Sequence, residues 1–260
     1  MSTRADELLY HLLWTTDFLI QPTWRNATDS FEAWAYRKGY LDQIHRLEAQ
    51  RFLEKMRAGT DKRLIRLTES GRIRALGGRD PMAEWKRPWD GIWRAVVYDL
   101  PSKNEGLRSR LYRALKSNGF GNLQRSVWIT PDPLTRFQKL FRGDNQVKTF
   151  ICLESKPCGG ERDKDIVLGA WKWREIDALY RHHRGVLQAL PKLSPSKSPD
   201  PDELLEWGRR ERTAWKTVIE NDPLLPEALL PRGYLGKRVW KERVRVLKCA
   251  GELIQAHRKN

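Results

Sequence analysis

Residues Trp89–Thr130 read WDGIWRAVVYDLPSKNEGLRSRLYRALKSNGFGNLQRSVWIT, and the change of hydrophobic period along this stretch predicts strand, capped helix and strand. Ile92–Leu100 is an apolar, β-branched and aromatic run stopped by Pro101, the pattern of a buried strand. Ser102 and Glu105 have the spacing of a capping box, in which the Ser side chain accepts from a free backbone N–H and the Glu reaches back to the cap. Leu107, Leu111, Ala114 and Leu115 then recur on one helical face, while Arg108, Arg110, Arg113 and Lys116 take the others. Asn118-Gly119 supplies a left-handed stop. Phe120–Thr130 is predicted as a second strand, with Ser126, Trp128 and Thr130 on one side and Val127 and Ile129 on the other. A short helix around Leu134–Phe141 and a third strand at Val147–Leu153 follow, and a fourth strand beyond Leu153 would complete a ferredoxin-like domain.

Upstream, Leu8–Ile20 is apolar on several sides and reads as the first helix of a helical core, ended by Pro22. A second helix starts at Thr28-Asp29-Ser30 and breaks at Gly39, and a third runs over Tyr40–Phe52 with Leu41, Ile44 and Leu47 inward. Leu53–Met56 and Arg63–Leu67 flank AGTDK as a hairpin. Three helices followed by a hairpin describe a winged helix-turn-helix. In that fold the third helix enters the major groove and the basic wing tracks phosphates. The candidate DNA contacts are therefore Tyr36, Arg37, Lys38, Tyr40, Gln43 and Arg46 in and before the helix, with Lys55, Arg57, Lys62 and Arg63 on the wing. The same module can also serve only for dimerisation. Thr68–Leu76 reads as a turn or short helix and Gly77–Pro81 as a linker.

Downstream, Asp165 caps a predicted helix over Ile166–Leu190 that carries His182-His183 as a partly exposed pair. Pro191–Pro201 holds four Pro and three Ser in 11 residues and reads as an exposed linker. Leu204–Ile219 resumes as a helix, and a last one runs from about Leu235 to Ala256 with Trp240, Val244, Leu247 and Ile254 inward. Lys237, Lys241, Arg245 and Lys248 line one basic edge of that last helix.

Composition narrows the function. The net charge of +16 and pI near 10 call for a polyanionic partner, of which nucleic acid is the usual one. The excess is uneven: residues 1–85 hold 14 Lys/Arg against 12 Asp/Glu, residues 86–165 hold 16 against 9, and residues 166–260 hold 19 against 12. Three Cys, at 152, 158 and 249, have no metal-ligand spacing and fit reduced thiols in a cytoplasmic protein. No secretory segment opens the chain and no apolar run is long enough to span a membrane. No cofactor, Ser/His/Asp grouping or phosphate-binding Gly loop is read.

The strings W-D-G-x-W-R-x-V-x-Y-D-x-P over Trp89–Pro101 and GFGNLQRSVWITP over Gly119–Pro131 resemble the central domain of PaaX-type transcriptional repressors, the family named for control of phenylacetate degradation. That domain is itself similar to the small endoribonuclease-like subunit of CRISPR spacer acquisition. LLPEALLPRGYLGKRVW, Leu224–Trp240, resembles the C-terminal region of the same family. The resemblance implies an α+β chain: a winged helix over 1–80, a ferredoxin-like dimerisation domain over 85–164 and a helical PaaX-like domain over 165–260. It implies a homodimer on double-stranded DNA, released by a small acidic effector such as an acyl-coenzyme A, which the basic edge of the last helix could also hold. Asp99 matches the proposed metal ligand of the CRISPR subunit. One carboxylate per chain makes a poor divalent-cation site unless a dimer brings two together, and Asp99 can equally hydrogen-bond the Leu100-Pro101-Ser102 turn. A metal-dependent nuclease using Asp99 and a non-specific nucleic-acid-binding accessory protein are the alternatives to the regulator.

Overall fold

The computed structural model describes residues 5–6, 8–9, 12, 25–27, 41–58, 62–99, 105–137, 149–157, 162–191 and 201–256. In chain order these form strand β1 (Arg25–Ala27), helix α1 (Leu41–Ala49), strands β2 (Leu53–Ala58) and β3 (Lys62–Leu67), and helices α2 (Glu69–Ala75) and α3 (Pro81–Lys86). Strand β4 (Trp93–Asp99), helix α4 (Glu105–Ser117) and strands β5 (Gly121–Gln124), β6 (Val127–Thr130) and β7 (Thr149–Ser155) follow. Helices α5 (Asp163–Ala170), α6 (Trp173–Gln188), α7 (Pro201–Asn221) and α8 (Gly236–Ala256) complete the described chain, with 3-10 turns at Leu134–Phe137 and Glu227–Leu229. The fold is mixed α and β. Its contacts group into two units: Met1–Arg79 with Arg181–Lys216 and Gly236–Asn260, and Asp80–Tyr180 with Thr217–Leu235.

The second unit is built on a four-stranded sheet of order β5-β6-β4-β7 in which every neighbouring pair is antiparallel. Val96 and Tyr98 of β4 and Trp128 of β6 point to one face, where Leu111 and Leu115 of α4, Phe120 and Phe137 join them in a buried cluster. Each such side chain contributes about 1.5–3 kcal/mol by leaving water. Inside the cluster the Trp128 indole N–H donates to the Tyr98 hydroxyl at 3.3 Å. Helix α4 ends as its sequence predicts: Gly119 takes φ +83°, Asn118 returns its side-chain amide to the Ala114 carbonyl at 2.7 Å, and the Phe120 N–H reaches the Leu115 carbonyl at 3.1 Å. Ser102 of the expected capping box lies outside the described residues.

Two expectations change here. The predicted strand Phe120–Thr130 is a hairpin, turned at Arg125-Ser126 and bulged between Asn122 and Gln124. This supplies a fourth described strand alongside β7, which runs two residues further than expected. Of the predicted short helix over Leu134–Phe141, Leu134–Phe137 is a 3-10 turn and residues 138–141 lie outside the described part. The helix expected over Ile166–Leu190 is two helices, because Trp171 between them is extended at φ −123°, ψ 147°. Its indole N–H donates to the Gly119 carbonyl at 3.2 Å. The fit is close: a Cβ on Gly121 would lie 2.7 Å from both Ala170 and the Trp171 ring.

The first unit contains a three-stranded antiparallel sheet of order β1-β3-β2, with the β2–β3 hairpin where the sequence predicts it. Strand β1 has no counterpart in the sequence reading; it pairs Arg25–Ala27 with Arg63–Ile65. Helix α1 buries Ile44 and Leu47, and Leu8 and Leu9 are fully buried. Thr68 caps α2, accepting from the Gly71 N–H at 3.0 Å. Gly71 is there for space, since a Cβ would lie 2.0 Å from the Phe52 carbonyl oxygen.

Candidate functional site

Of the residues expected to touch DNA, Tyr36, Arg37, Lys38 and Tyr40 lie outside the described part of the chain. Gln43 is half-buried and Arg46 exposed on α1. Lys55 and Arg57 fall on β2 and Lys62 and Arg63 on β3, where Arg57 is in register with Arg63. The hairpin register thus brings at least that basic pair together. On α8, Lys241, Arg245 and Lys248 are exposed and Lys237 is half-buried. Asp99 is the last residue of β4, opposite Thr149. Among the described residues no group of three or more His, Cys, Asp or Glu is arranged to hold a metal, and none of the helices is long and apolar enough to cross a membrane.

The two faces of the second unit's sheet differ. Alternation along β4 turns Ala95 and Val97 away from the α4 cluster. Cross-strand register then lines up Val127, Val97 and Ile151 in one row and Ile129, Ala95 and Leu153 in the next. Ile129 is buried, but Ile151 and Leu153 are 49% and 51% exposed. Among the described residues, strand β7 is also an edge, paired on one side only. This places two exposed apolar side chains on the outermost described strand of the sheet.

The signature W-D-G-x-W-R serves the fold at the same sheet's margin. Arg94 is buried and holds Asp90 and Glu154, at 2.5 and 3.0 Å, as well as the Pro131 carbonyl at 3.2 Å. The Arg94 guanidinium holds the Asp90 carboxyl below its ordinary range. Trp93 is buried against Trp89 and Trp171 and donates to Asp163 at 2.8 Å. The second signature, Leu224–Trp240, returns part of the chain to this unit. The Leu224 carbonyl accepts from Arg87, and Asp222 accepts from both the Tyr180 and Tyr234 hydroxyls. Burial beside that carboxylate pushes both phenols well above their ordinary value.

A cleft of about 510 Å³ opens within the second unit. Its lining includes Tyr112 and Lys116 of α4, Asn122 of β5, Trp128 of β6, and Gly169, Trp171, Lys172 and Glu175 around the α5–α6 junction. Tyr112 is 43% exposed and stands edge-on to Trp128 at 5.1 Å. Lys172 pairs with Glu175 at 2.9 Å, and that hydrogen bond holds its ammonium above the ordinary lysine value.

In the first unit, the expected partly exposed histidine pair divides. His182 is exposed, but His183 has no solvent exposure, and its Nε2 lies 2.8 Å from Glu211. Arg243 reaches the same carboxylate at 2.7 Å, with its guanidinium 4.4 Å from the Trp215 ring centre. Burial, aided by the Arg243 charge, drives the His183 pKa down to about 3. The ring is therefore neutral at pH 7, with Nε2–H donating to Glu211 and Nδ1 left without a partner. The sequence reading missed this trio. Glu211 sits midway between Trp207 and Trp215, each four residues away, so it falls on a buried stripe.

Residues 86–167 match the PaaX protein central Cas2-like domain, and residues 171–251 match the PaaX-like protein C-terminal domain. No curated protein matches the chain. Among solved structures, the uncharacterized protein Rv0674 from Mycobacterium tuberculosis is similar in fold, with a TM-score of 0.51 at 17% identity over 95% of this chain and 89% of that one.

Proposed function

This chain belongs to the PaaX-like family, and on that premise we propose that it is a sequence-specific DNA-binding transcriptional regulator, a repressor, that acts as a homodimer and is released by a small acidic effector such as an acyl-coenzyme A. Its PaaX domains are consistent with a transcriptional regulator, and the pair of consecutive matches is the observation that carries the reading.

Three features support the finer parts. The β1-β3-β2 sheet with α1 leading into the β2–β3 hairpin has the order of a winged helix, in which α1 would offer Gln43 and Arg46 to base edges and the hairpin its basic residues to phosphates. The sheet order β5-β6-β4-β7, all antiparallel and with α4 joining its first two strands, is that of a ferredoxin-like domain. The open face carrying Val97, Ile151 and Leu153 suits self-association, which would hold two winged helices at a fixed spacing on a pseudo-palindromic site. The effector acts by preferring one of the two DNA-binding states.

The test is binding of the full chain to its own upstream DNA and to scrambled DNA of equal length across a salt series. Tight binding that favours the upstream sequence supports the regulator. Equal, steeply salt-dependent binding to both would overturn it in favour of backbone recognition alone. Ile151→Lys with Leu153→Lys should shift sedimentation from dimer to monomer and weaken operator binding together.

A further inference from the structure

From Gly106 to Pro131 the sequence has no Asp or Glu, yet it carries Arg at 108, 110, 113 and 125 and Lys at 116. Arg108, Arg110, Arg113 and Lys116 stand on α4, and all four are exposed. Several exposed cations elsewhere sit three positions from an acid and bond to it: Arg162 to Asp165, Lys172 to Glu175, Arg209 to Glu206. The acid of α4 is Glu105 in its first turn, three positions from Arg108 and at least five from the other cations. Among the described residues Arg110, Arg113 and Lys116 have no carboxylate partner.

Residues three and four apart are neighbours on a helix surface. Arg113 therefore sits at the centre of one face, with Arg110 and Lys116 three positions to either side and Ser109 and Ser117 four positions to either side. Its Nε–H donates to the Ser109 carbonyl at 3.2 Å, which uses one of the five guanidinium donors. Like charges this close weaken a helix, so the cluster works against the fold unless a polyanion neutralises it. The shape of the face selects which polyanion. A helix that lies on a lipid surface sets large apolar side chains beside its cations, whereas here the flanking positions are held by Ser109, Ser117 and exposed Gly106, where an added Cβ would meet no atom within 4 Å. Arg110 to Lys116 spans about 9 Å of helix axis, within reach of about two to three phosphates of one DNA strand.

We propose that this face of α4, carried by Arg110, Arg113 and Lys116, is a second nucleic-acid surface that grips the phosphate backbone of double-stranded DNA without reading its bases. The two guanidinium groups match phosphate oxygens in pairs and the ammonium adds a point charge. The inference rests on the reading of the chain as a DNA-binding protein, but not on its sequence preference.

The test measures affinity of the full chain for its upstream duplex and for a scrambled duplex of equal length across a salt series. Arg110→Gln with Arg113→Gln and Lys116→Gln should lower the slope of log affinity against log salt by about two to three on both duplexes, and weaken low-salt binding by about tenfold or more. The ratio of the two affinities should not change. Each single variant should lower the slope by about one, which keeps the test open should the triple variant melt early. Arg162→Gln with Lys164→Gln and Arg174→Gln removes as many exposed charges from the same unit and should move the slope by less than half as much. An unchanged slope in the α4 variants, or an equal shift in this control, would overturn the proposal. So would loss of binding to phosphatidylserine vesicles with DNA binding intact, which would give the face to lipid. A native affinity ratio near one sinks sequence-specific recognition but leaves this surface standing, so the two failures are told apart.

Discussion

In the first unit Glu211 and Arg243 meet with no solvent exposure on either side chain, whereas in the second Arg87 holds Asp132 with 14% and 12% of their side chains still exposed. The ion types are the same and the shortest contacts are nearly equal, 2.7 and 2.6 Å. What differs is the reference each charge would fall back on. Asp132 has a second partner in Arg136, 41% exposed, and a route to water. Glu211 has the buried partners Arg243 and His183, the latter neutral. A charge that cannot reach water makes its partner indispensable, even where the pair itself adds little to stability over an apolar replacement.

The largest effect is expected from stranding one of the two buried charges. Arg243→Met leaves Glu211 without its cation and should cost about 3–5 kcal/mol in urea unfolding. Adding Glu211→Leu should return much of that loss; a double variant as unstable as the single one would break the contrast.

Acid comes next, through His183. Its pKa lies near 6.5 when unfolded and about 3 when folded. As pH falls below 6.5 the unfolded chain takes a proton that the folded chain refuses, so stability drops toward pH 3 by on the order of 1 kcal/mol per pH unit. Glu211 works the other way, since burial raises its pKa and the cost of its charge lifts as it protonates. The slope due to His183 is therefore read as the difference between the native chain and His183→Gln, which should be flatter over that window.

In the second unit, Asp132→Ala removes both Arg87 contacts but leaves the guanidinium its carbonyl acceptors on Glu84 and Leu224. We expect about 1–2 kcal/mol, clearly below Arg243→Met. The smallest change is Arg136→Gln, a 41% exposed side chain whose bonds to Glu84 and Asp132 should be worth about 0.5 kcal/mol and fade in high salt.

The same divide separates what the sequence made legible from what it hid. Strand β4, helix α4 and the Asn118-Gly119 stop are signalled by residues within a few positions of where they act, and the β2–β3 hairpin likewise. The turn at Arg125-Ser126 contains neither Gly nor Pro, and the alternation of Asn122 and Trp128 runs straight through it. The break between α5 and α6 is set by Trp171 seating against Gly119 and Gly121, about fifty positions earlier. Arg243 and Glu211 look like surface charges because their burial depends on partners 32 residues apart. In the candidate site, the open row of Val97 and Ile151 needed the register of two distant strands, and the cleft needed α4, the hairpin and the α5–α6 junction at once. The motif W-D-G-x-W-R was recognisable as a family mark, yet its residues turn out to bind the sheet margin together.

The Trp215 indole N–H reaches back 139 residues to the Leu76 carbonyl at 2.8 Å. During synthesis, at roughly 5–20 residues per second, Leu76 waits about 7–30 s for that partner to be made. The N-terminal part of the first unit therefore leaves the ribosome before its closing helices exist. Its earliest hydrophobic surface is a natural client for a holding chaperone, and a chain stalled before Gly236 would present that surface for degradation.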